Sequence, residues 1–419
     1  MTDPSADDEP ISKDRTGTGV ATRIIHDHRD PGAHNGFVNA PAYRGSTVLF
    51  PTLDALTARS QPYTYGRRGN PNTVELERQI AALEGGDRTI LTASGYHAVT
   101  TAILAYVSAG DEILVTDSVY QPTRHFCDTA LARLGVKTTY YDPLIGAGIA
   151  QLLTPKTRLV WTESPGSQTF EVQDIPAIVA AVGSYRTTNG QQPGQSPWVI
   201  VAIDNTWASP LYFKPFAHGV DVSVQSLTKY VVGHSDALLG AVTATGRAVK
   251  PLIAAKEAFG VCPGSEETWL ALRGLRTLHV RLAHHHASGL ALARWLTLRP
   301  EVAAVLHPGL EGAPGHELWK RDFLGASGLF TMVLHPITRA QLAAFVDHLR
   351  YFGMGYSWGG FESLIVPFDP QSYRTATVWP YPGPALRLHV GLEDIADLKA
   401  DLAAGFARIA SSEIALNAI

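Results

Sequence analysis

Between about Asn72 and Ala254 the chain repeats one texture, and that texture limits the fold more than any other feature. Short runs of β-branched, aromatic and aliphatic residues, EILVTDSVY, TRLVWTES, WVIVAIDNT, DVSVQSLTK and ALLGAVTAT, are bounded by turn residues and separated by helix-like stretches. Strands alternating with helices predict an α/β fold: a large, mostly parallel sheet covered by helices. The stretch TVELERQIAALEG predicts one of those helices, with Asn72 as N-cap, Glu75 in the capping-box position and a stop at Gly85-Gly86. GSYRTTNGQQPGQSP reads as an exposed loop.

A chain of 419 residues is longer than the roughly 250 to 300 at which single cores stop growing, so more than one domain is expected. From about Glu267 the pattern changes to a long helical run, ETWLALRGLRTLHVRLAHHHASGLALARWL, then mixed elements and a last helix around DLKADLAAGFARI. We expect residues 73–275 to form the large α/β domain and 276–419 a smaller α+β C-terminal domain. Residues 1–72 divide into a solvated tail to about Gly19 and an extended N-terminal arm. Pro41, Pro51, Pro62 and Pro71 break that arm up, as in a segment lying on another surface.

Composition narrows the function. Charged residues are 17% of the chain, below the roughly 25% of an average domain, so extensive burial and self-association are expected. A net charge of −4 gives no footprint for nucleic acid or for an acidic membrane surface. No apolar run reaches the roughly 18 residues of a membrane span, and the start MTDPSADDEPISKD lacks signal-peptide order. Two cysteines, Cys127 and Cys262, are too few for a disulfide framework; they read as structural residues in a cytoplasmic protein. His284, His285 and His286 are consecutive, so on a helix they cannot all face one ion, and no metal is expected.

Parallel sheets bind ligands beyond the carboxyl ends of their strands. WVIVAIDNT ends on Asp204, and DVSVQSLTKY leads to Lys229 past Ser226 and Thr228. Ser94-Gly95 opens an apolar helix whose first N–H groups favour a phosphate. Singly, each has a plain alternative: a surface lysine, a capping carboxylate, an ordinary turn. Together they form the set that pyridoxal 5'-phosphate requires, namely a lysine amine, an acid for the ring nitrogen and a phosphate cradle.

These residues resemble the Cys/Met-metabolism family of pyridoxal-phosphate enzymes, which has the fold of type I transferases. The likeness runs from YGRRGNPNTVELERQIAALEGG through GDEILVTDSVYQPTRHFC, ESPGSQTFEVQDIPAIVAAV, AIDNTWASPLYFK and QSLTKYVVGHSDALLGA. It continues through RGLRTLHVRL and GHELWKRDF to YSWGGFES and LRLHVGLED, roughly residues 20 to 412. The resemblance implies that Lys229 is the Schiff-base lysine, Asp204 the ring-nitrogen partner and Tyr120 the tyrosine stacked on the cofactor. It implies a phosphate set of Gly95, Tyr96, Ser226 and Thr228, joined by Tyr65 and Arg67 from a neighbouring subunit. The arm would then belong to a homo-oligomer with shared active sites, a tetramer built as a dimer of dimers. Arg387, supported by Ser357, corresponds to the family's clamp for the substrate α-carboxylate.

Tyr356, Ser357 and Trp358, with Ser167, match the β-eliminating members, whereas γ-acting members typically carry Glu-Ser-Leu and Asn. The implied reaction on a small amino-acid substrate is cleavage of L-cystathionine at Cβ to L-homocysteine, pyruvate and ammonia, as in methionine biosynthesis. The alternatives are a γ-lyase or γ-synthase, a β-lyase for cysteine or another sulfur amino acid, and a non-catalytic, cofactor-binding regulatory protein. Ser94-Gly95-Tyr96-His97 departs from the Gly-Ala-Ala usual in β-eliminating members, which places a large side chain near the phosphate or the crevice mouth.

Overall fold

The computed structural model describes residues 17–191 and 198–416, with side chains to 409. The expected solvated tail up to residue 16, and residues 192–197 of the expected loop, lie outside the described residues.

Seven strands form the larger sheet: β1 (Arg88–Thr92), β2 (Glu112–Thr116), β3 (Lys137–Tyr141), β4 (Thr157–Glu163), β5 (Ile200–Asp204), β6 (Val222–Gln225) and β7 (Gly240–Ala244). Their order is β1-β7-β6-β5-β4-β2-β3. The pairs β2–β3, β2–β4, β4–β5 and β5–β6 are parallel, while β7 runs antiparallel to both β6 and β1. The mostly parallel α/β sheet is therefore present. Its central strands are buried along nearly their whole length, as helices on both faces require. Strands β1 and β3 have no counterpart among the apolar runs: RTILT and KTTYY carry too many polar residues to stand out.

A second sheet holds β8 (Val302–Leu306), β9 (Leu329–Leu334), β10 (Leu364–Phe368) and β11 (Ala385–His389), in the order β10-β11-β9-β8 and antiparallel throughout. Its core of Phe330, Leu388, Phe345 and Phe406 is separate from that of the large sheet, where Ile90, Val115, Trp161 and Val224 meet. A third cluster, including Ile203, Trp207, Leu306 and Leu329, takes residues from both sheets. There the Trp207 indole N–H donates to the Leu329 carbonyl at 2.9 Å.

Three local expectations are corrected. The helix Pro71–Glu84 is capped by Asn70, whose side chain accepts from Thr73 N while Thr73 reciprocates, because Pro71 takes the first helical position. Asn72 is instead buried and accepts from Tyr43 N at 2.9 Å; Glu75 pairs with Arg276. The first part of the expected loop, 183–188, continues the helix Ile175–Thr188. The long C-terminal run breaks into Ser265–Leu275 and Leu278–Leu296. At the break Arg281 donates to the carbonyls of Gly274 and Tyr230, both at 2.7 Å, joining the second helix to the segment after Lys229.

Cys127 is buried, whereas Cys262 is exposed and so carries no packing role. The three consecutive histidines take separate partners: His284 meets Ser288, buried His285 meets the Val390 carbonyl, and His286 meets Ala326. Among the described residues no helix is long and apolar enough to cross a membrane.

Candidate active site

The parallel strands deliver their ends to one cleft of about 440 Å³ between the two sheets. Asp204 ends β5, Glu163 ends β4, and Ser226, Thr228 and Lys229 follow β6; all line it. Ser94, Gly95 and Tyr96 enter from the start of the helix Gly95–Leu104, and Tyr120 from the loop after β2. From the second sheet comes Arg387 on β11, and from the strap preceding β10 come Tyr356, Ser357 and Trp358.

The helix start is arranged to receive an anion. Ser94 caps it by accepting from His97 N at 3.1 Å, and no protein group among the described residues accepts from the N–H groups of Gly95 or Tyr96. Gly95 lies so close to Ser226 that a Cβ would stand 2.4 Å from the Ser226 hydroxyl, so only glycine lets the two donors approach each other. Thr228 is committed elsewhere: its hydroxyl donates to the Leu239 carbonyl at 3.2 Å and accepts from Leu239 N at 2.9 Å. Tyr96 stands half-exposed at the mouth, in the position anticipated for a bulky side chain, while His97 does not line the cleft.

Asp204 Oδ1 accepts from Thr206 N at 3.0 Å and from the Thr206 hydroxyl at 2.5 Å. Burial pushes its carboxyl above the usual range, opposed by Thr206 and by the charge of Lys229. Lys229 Nζ donates to Ser357 Oγ at 2.6 Å and lies 5.3 Å from the centre of the Trp358 ring. Burial first, then the neighbouring Arg387 cation, lowers the Lys229 amine to about 8, with Asp204 acting in the other direction. Burial pushes the Tyr120 phenol up, helped by the Asp204 carboxylate. Arg387 is 8% exposed and donates to the Ser357 carbonyl at 3.2 Å.

Ser357 has a φ of 87°, a left-handed conformation unusual for a residue with a Cβ. Such strain persists where surrounding contacts enforce it. Here Lys229 holds the side chain and Arg387 the carbonyl. Two residues on, Gly359 packs its Cα on the Lys229 backbone, where a Cβ would meet Lys229 C and Tyr230 N at 2.9 Å.

Two expected residues stand apart. Tyr65 and Arg67 line a different hollow with Gly45, Ser46 and Lys256, and Arg67 lies 3.5 Å from Glu257. Within one chain they do not reach the cleft.

Glu163 is in the cleft although no sequence argument named it. It faces Asp204 in register across β4 and β5, and its Oε2 accepts from Tyr120 N at 2.8 Å. Two carboxyls this close cannot both ionise cheaply. Burial and Asp204 raise Glu163 well above the usual range, against the bonds from Tyr120 and Ser167. Glu163 is the neutral member, because Asp204 has the two Thr206 bonds and the Lys229 charge. The signal for it was available, since TRLVWTE ends on an acid just as WVIVAID does.

The donor set suits pyridoxal phosphate: an amine held near neutrality, a buried acid, and a glycine-dependent cradle of unpaired N–H groups and a serine hydroxyl. The model of the Cys/Met metabolism PLP-dependent enzymes matches residues 21–407. The chain belongs to that family. Pyridoxal phosphate is therefore its cofactor, and its fold is that of the type I enzymes. A Rhizobium johnstonii protein is 50% identical over 393 residues, covering 93% of this chain and 96% of its own. The cystathionine beta-lyase MetC of Escherichia coli is 43% identical over 399 residues, covering 93% of this chain and 98% of its own. The crystal structure of a cystathionine gamma synthase from Xanthomonas oryzae pv. oryzae in complex with cystathionine superposes with a TM-score of 0.84 at 30% identity, covering 94% and 100%. The backbone is thus shared with a γ-synthase, and the chemistry within the family is set by side chains.

Proposed function

We propose that this protein is a pyridoxal-phosphate-dependent carbon–sulfur β-lyase that cleaves L-cystathionine to L-homocysteine, pyruvate and ammonia. The observation that carries the reading is the Tyr356–Trp358 strap, which sets the Ser357 hydroxyl on the Lys229 amine and its carbonyl on Arg387. Those three residues match the β-eliminating pattern, and the 43% identity to the cystathionine beta-lyase of Escherichia coli supports it.

The cofactor, when bound, supplies an electron sink for negative charge at the substrate Cα. Lys229 would hold it covalently, Asp204 would serve its ring nitrogen, and Tyr120 would cover its ring. The Gly95 and Tyr96 N–H groups with the Ser226 hydroxyl would hold the phosphate, and Thr228 holds this loop through Leu239. Arg387 orients the α-carboxylate through its planar fork, with Ser357 in support, while Tyr356 and Trp358 border the substrate. The Lys229 amine, lowered by burial, would take the Cα proton as general base in its neutral form. Lys229 or Tyr120 then returns a proton to the departing sulfur.

The arm supports assembly with a second copy. Phe37, Val38, Leu49 and Leu53 are each more than two-thirds exposed, more apolar surface than a segment facing water usually shows. In our reading 1–72 lies on the neighbouring subunit and carries Tyr65 and Arg67 to that subunit's phosphate. Residues 73–275 and 276–419 form the two domains, and two such dimers make a tetramer in the cytoplasm.

The test is to incubate the holoenzyme with L-cystathionine and identify the keto acid. Pyruvate in equal amount with homocysteine is expected. Release of 2-oxobutyrate would replace the reading with γ-cleavage, and no keto acid from any sulfur amino acid would replace it with a non-catalytic role.

A further inference from the structure

Lys229 and Arg387 have evident tasks in the site as read above, but neither explains what holds the strap in its strained path between them. On β11, residues two apart share a face, so Arg387 and His389 project the same way. Arg387 takes the Ser357 carbonyl, and His389 takes the other end of the strap: Gly359 N donates to His389 Nε2 at 3.1 Å. The same nitrogen lies 3.1 Å from the Gly360 carbonyl oxygen. The Gly359 N–H can only donate, so in this contact Nε2 is the acceptor and the neutral ring carries its proton on Nδ1.

The ring is 1% exposed and packed on every side, with His285 at 5.3 Å between centroids and Tyr230, the neighbour of Lys229, at 6.1 Å. Tyr230 in turn packs on Trp358 at 5.4 Å. His285 Nδ1 donates to the Val390 carbonyl at 2.8 Å, which leaves its Nε2 an acceptor. His389 Nδ1 and His285 Nε2 have no hydrogen-bond partner among the described residues, and the tautomers make one a donor and the other an acceptor. Burial keeps both rings neutral, lowering His389 to about 3 and His285 to about 4.

We infer that His389 is a positioning residue: by accepting from Gly359 N it fastens the strap, and so holds Ser357 and Trp358 over the Lys229 amine in the geometry that receives a substrate carboxylate. This rests on the reading of Lys229 and Arg387 given above. It touches neither substrate nor cofactor and acts only through the strap. Reach, rather than polarity alone, is decisive, because the acceptor must stand where Nε2 stands. A glutamine amide extends to that place and an asparagine amide does not.

The test compares full-length holoenzyme with His389→Gln, His389→Asn and His389→Leu, by hydrogen–deuterium exchange of the segment 356–362 and by KM and kcat for L-cystathionine. We expect His389→Gln to stay within about twofold of the parent in strap exchange and KM. His389→Asn and His389→Leu should exchange at least about tenfold faster in the strap, with KM raised about tenfold and kcat within about threefold. Should His389→Leu fail to fold, the Gln and Asn pair decides. Unchanged strap exchange in His389→Asn, equal damage in Gln and Asn, or faster exchange spread over both sheets would overturn the inference. If the parent itself does not process L-cystathionine, the functional reading fails, and strap exchange still judges the role of His389.

Discussion

The two walls of the cleft are built on different principles. On the large-sheet side, Asp204 and Glu163 sit at the ends of strands whose backbones pair residue by residue, and Lys229 follows the next strand within four residues. Their positions are fixed by the ladder itself. On the other side, the segment 356–360 is no part of either sheet, and side chains hold it: Lys229 on the Ser357 hydroxyl, Arg387 on the Ser357 carbonyl, His389 on Gly359 N. The first wall resists single substitutions in its supports, whereas the second depends on a few hydrogen bonds. In the proposed reading, cofactor binding belongs to the first and substrate recognition to the second.

Substitutions that separate those two functions sharpen or break the contrast. The largest effect belongs to Lys229→Ala, which should lower turnover by about 10³-fold or more, since general-base catalysis alone contributes about 10² to 10⁴-fold. Its circular dichroism should match the parent. Pyruvate release by that variant at more than a few per cent of the parent rate would refute the role. Next comes Arg387→Ala, which removes charge-assisted hydrogen bonds worth about 1.5 to 3 kcal/mol and should raise KM about 100-fold while the cofactor stays bound. If cofactor affinity falls as far as substrate affinity, the two walls are not separable.

Ser357→Ala keeps the Cβ, and hence the backbone strain, and deletes only the hydroxyl. A loss of about 1 kcal/mol, roughly fivefold to tenfold in kcat/KM, is expected. Steady-state kinetics that leave the parent value intact would detach Ser357 from Lys229.

Protonation gives a smaller effect. The Lys229 amine is protonated below about 8 and neutral above it, because burial and Arg387 disfavour the cation. Only a neutral amine could bond to the cofactor aldehyde, so with Lys229 in the proposed role apoenzyme loading should rise about fivefold from pH 7 to pH 8 and then level off. A loading rate that is flat over that range, followed by cofactor absorbance, would argue against a lowered amine. The smallest effect is assigned to Glu163→Gln. The amide keeps an acceptor for Tyr120 N and carries no charge, as the neutral acid carries none, so activity should stay within about twofold. A tenfold loss would make Glu163 an anion.

The same contrast explains what could be read beforehand. Asp204 and Lys229 were legible because each follows an apolar run, and strand ends place ligands in a parallel sheet. Glu163 was equally legible by that logic. Ser357 and His389 were not, since nothing local marks a strap held by side chains 30 and 128 residues away in sequence. Ser357 came from family resemblance, and His389 only from the structure. The N-cap at Asn70 was misplaced by two residues because Pro71 is favoured at the first helical position, a rule that outranks the capping-box match at Asn72 and Glu75. Tyr65 and Arg67 line a different hollow within one chain, and their place at a neighbouring copy's site came from family resemblance alone.

The central claim is that the lysine following β6, set against the strap, holds the cofactor. Lys214 is its natural rival: it too is buried and lowered to about 8, but its amine donates to the carbonyls of Leu83 and Pro210, away from the cleft. Borohydride reduction of the loaded protein, followed by peptide mapping, distinguishes them. The account predicts a pyridoxyl group on Lys229 alone; the group on Lys214 or any other lysine would contradict it.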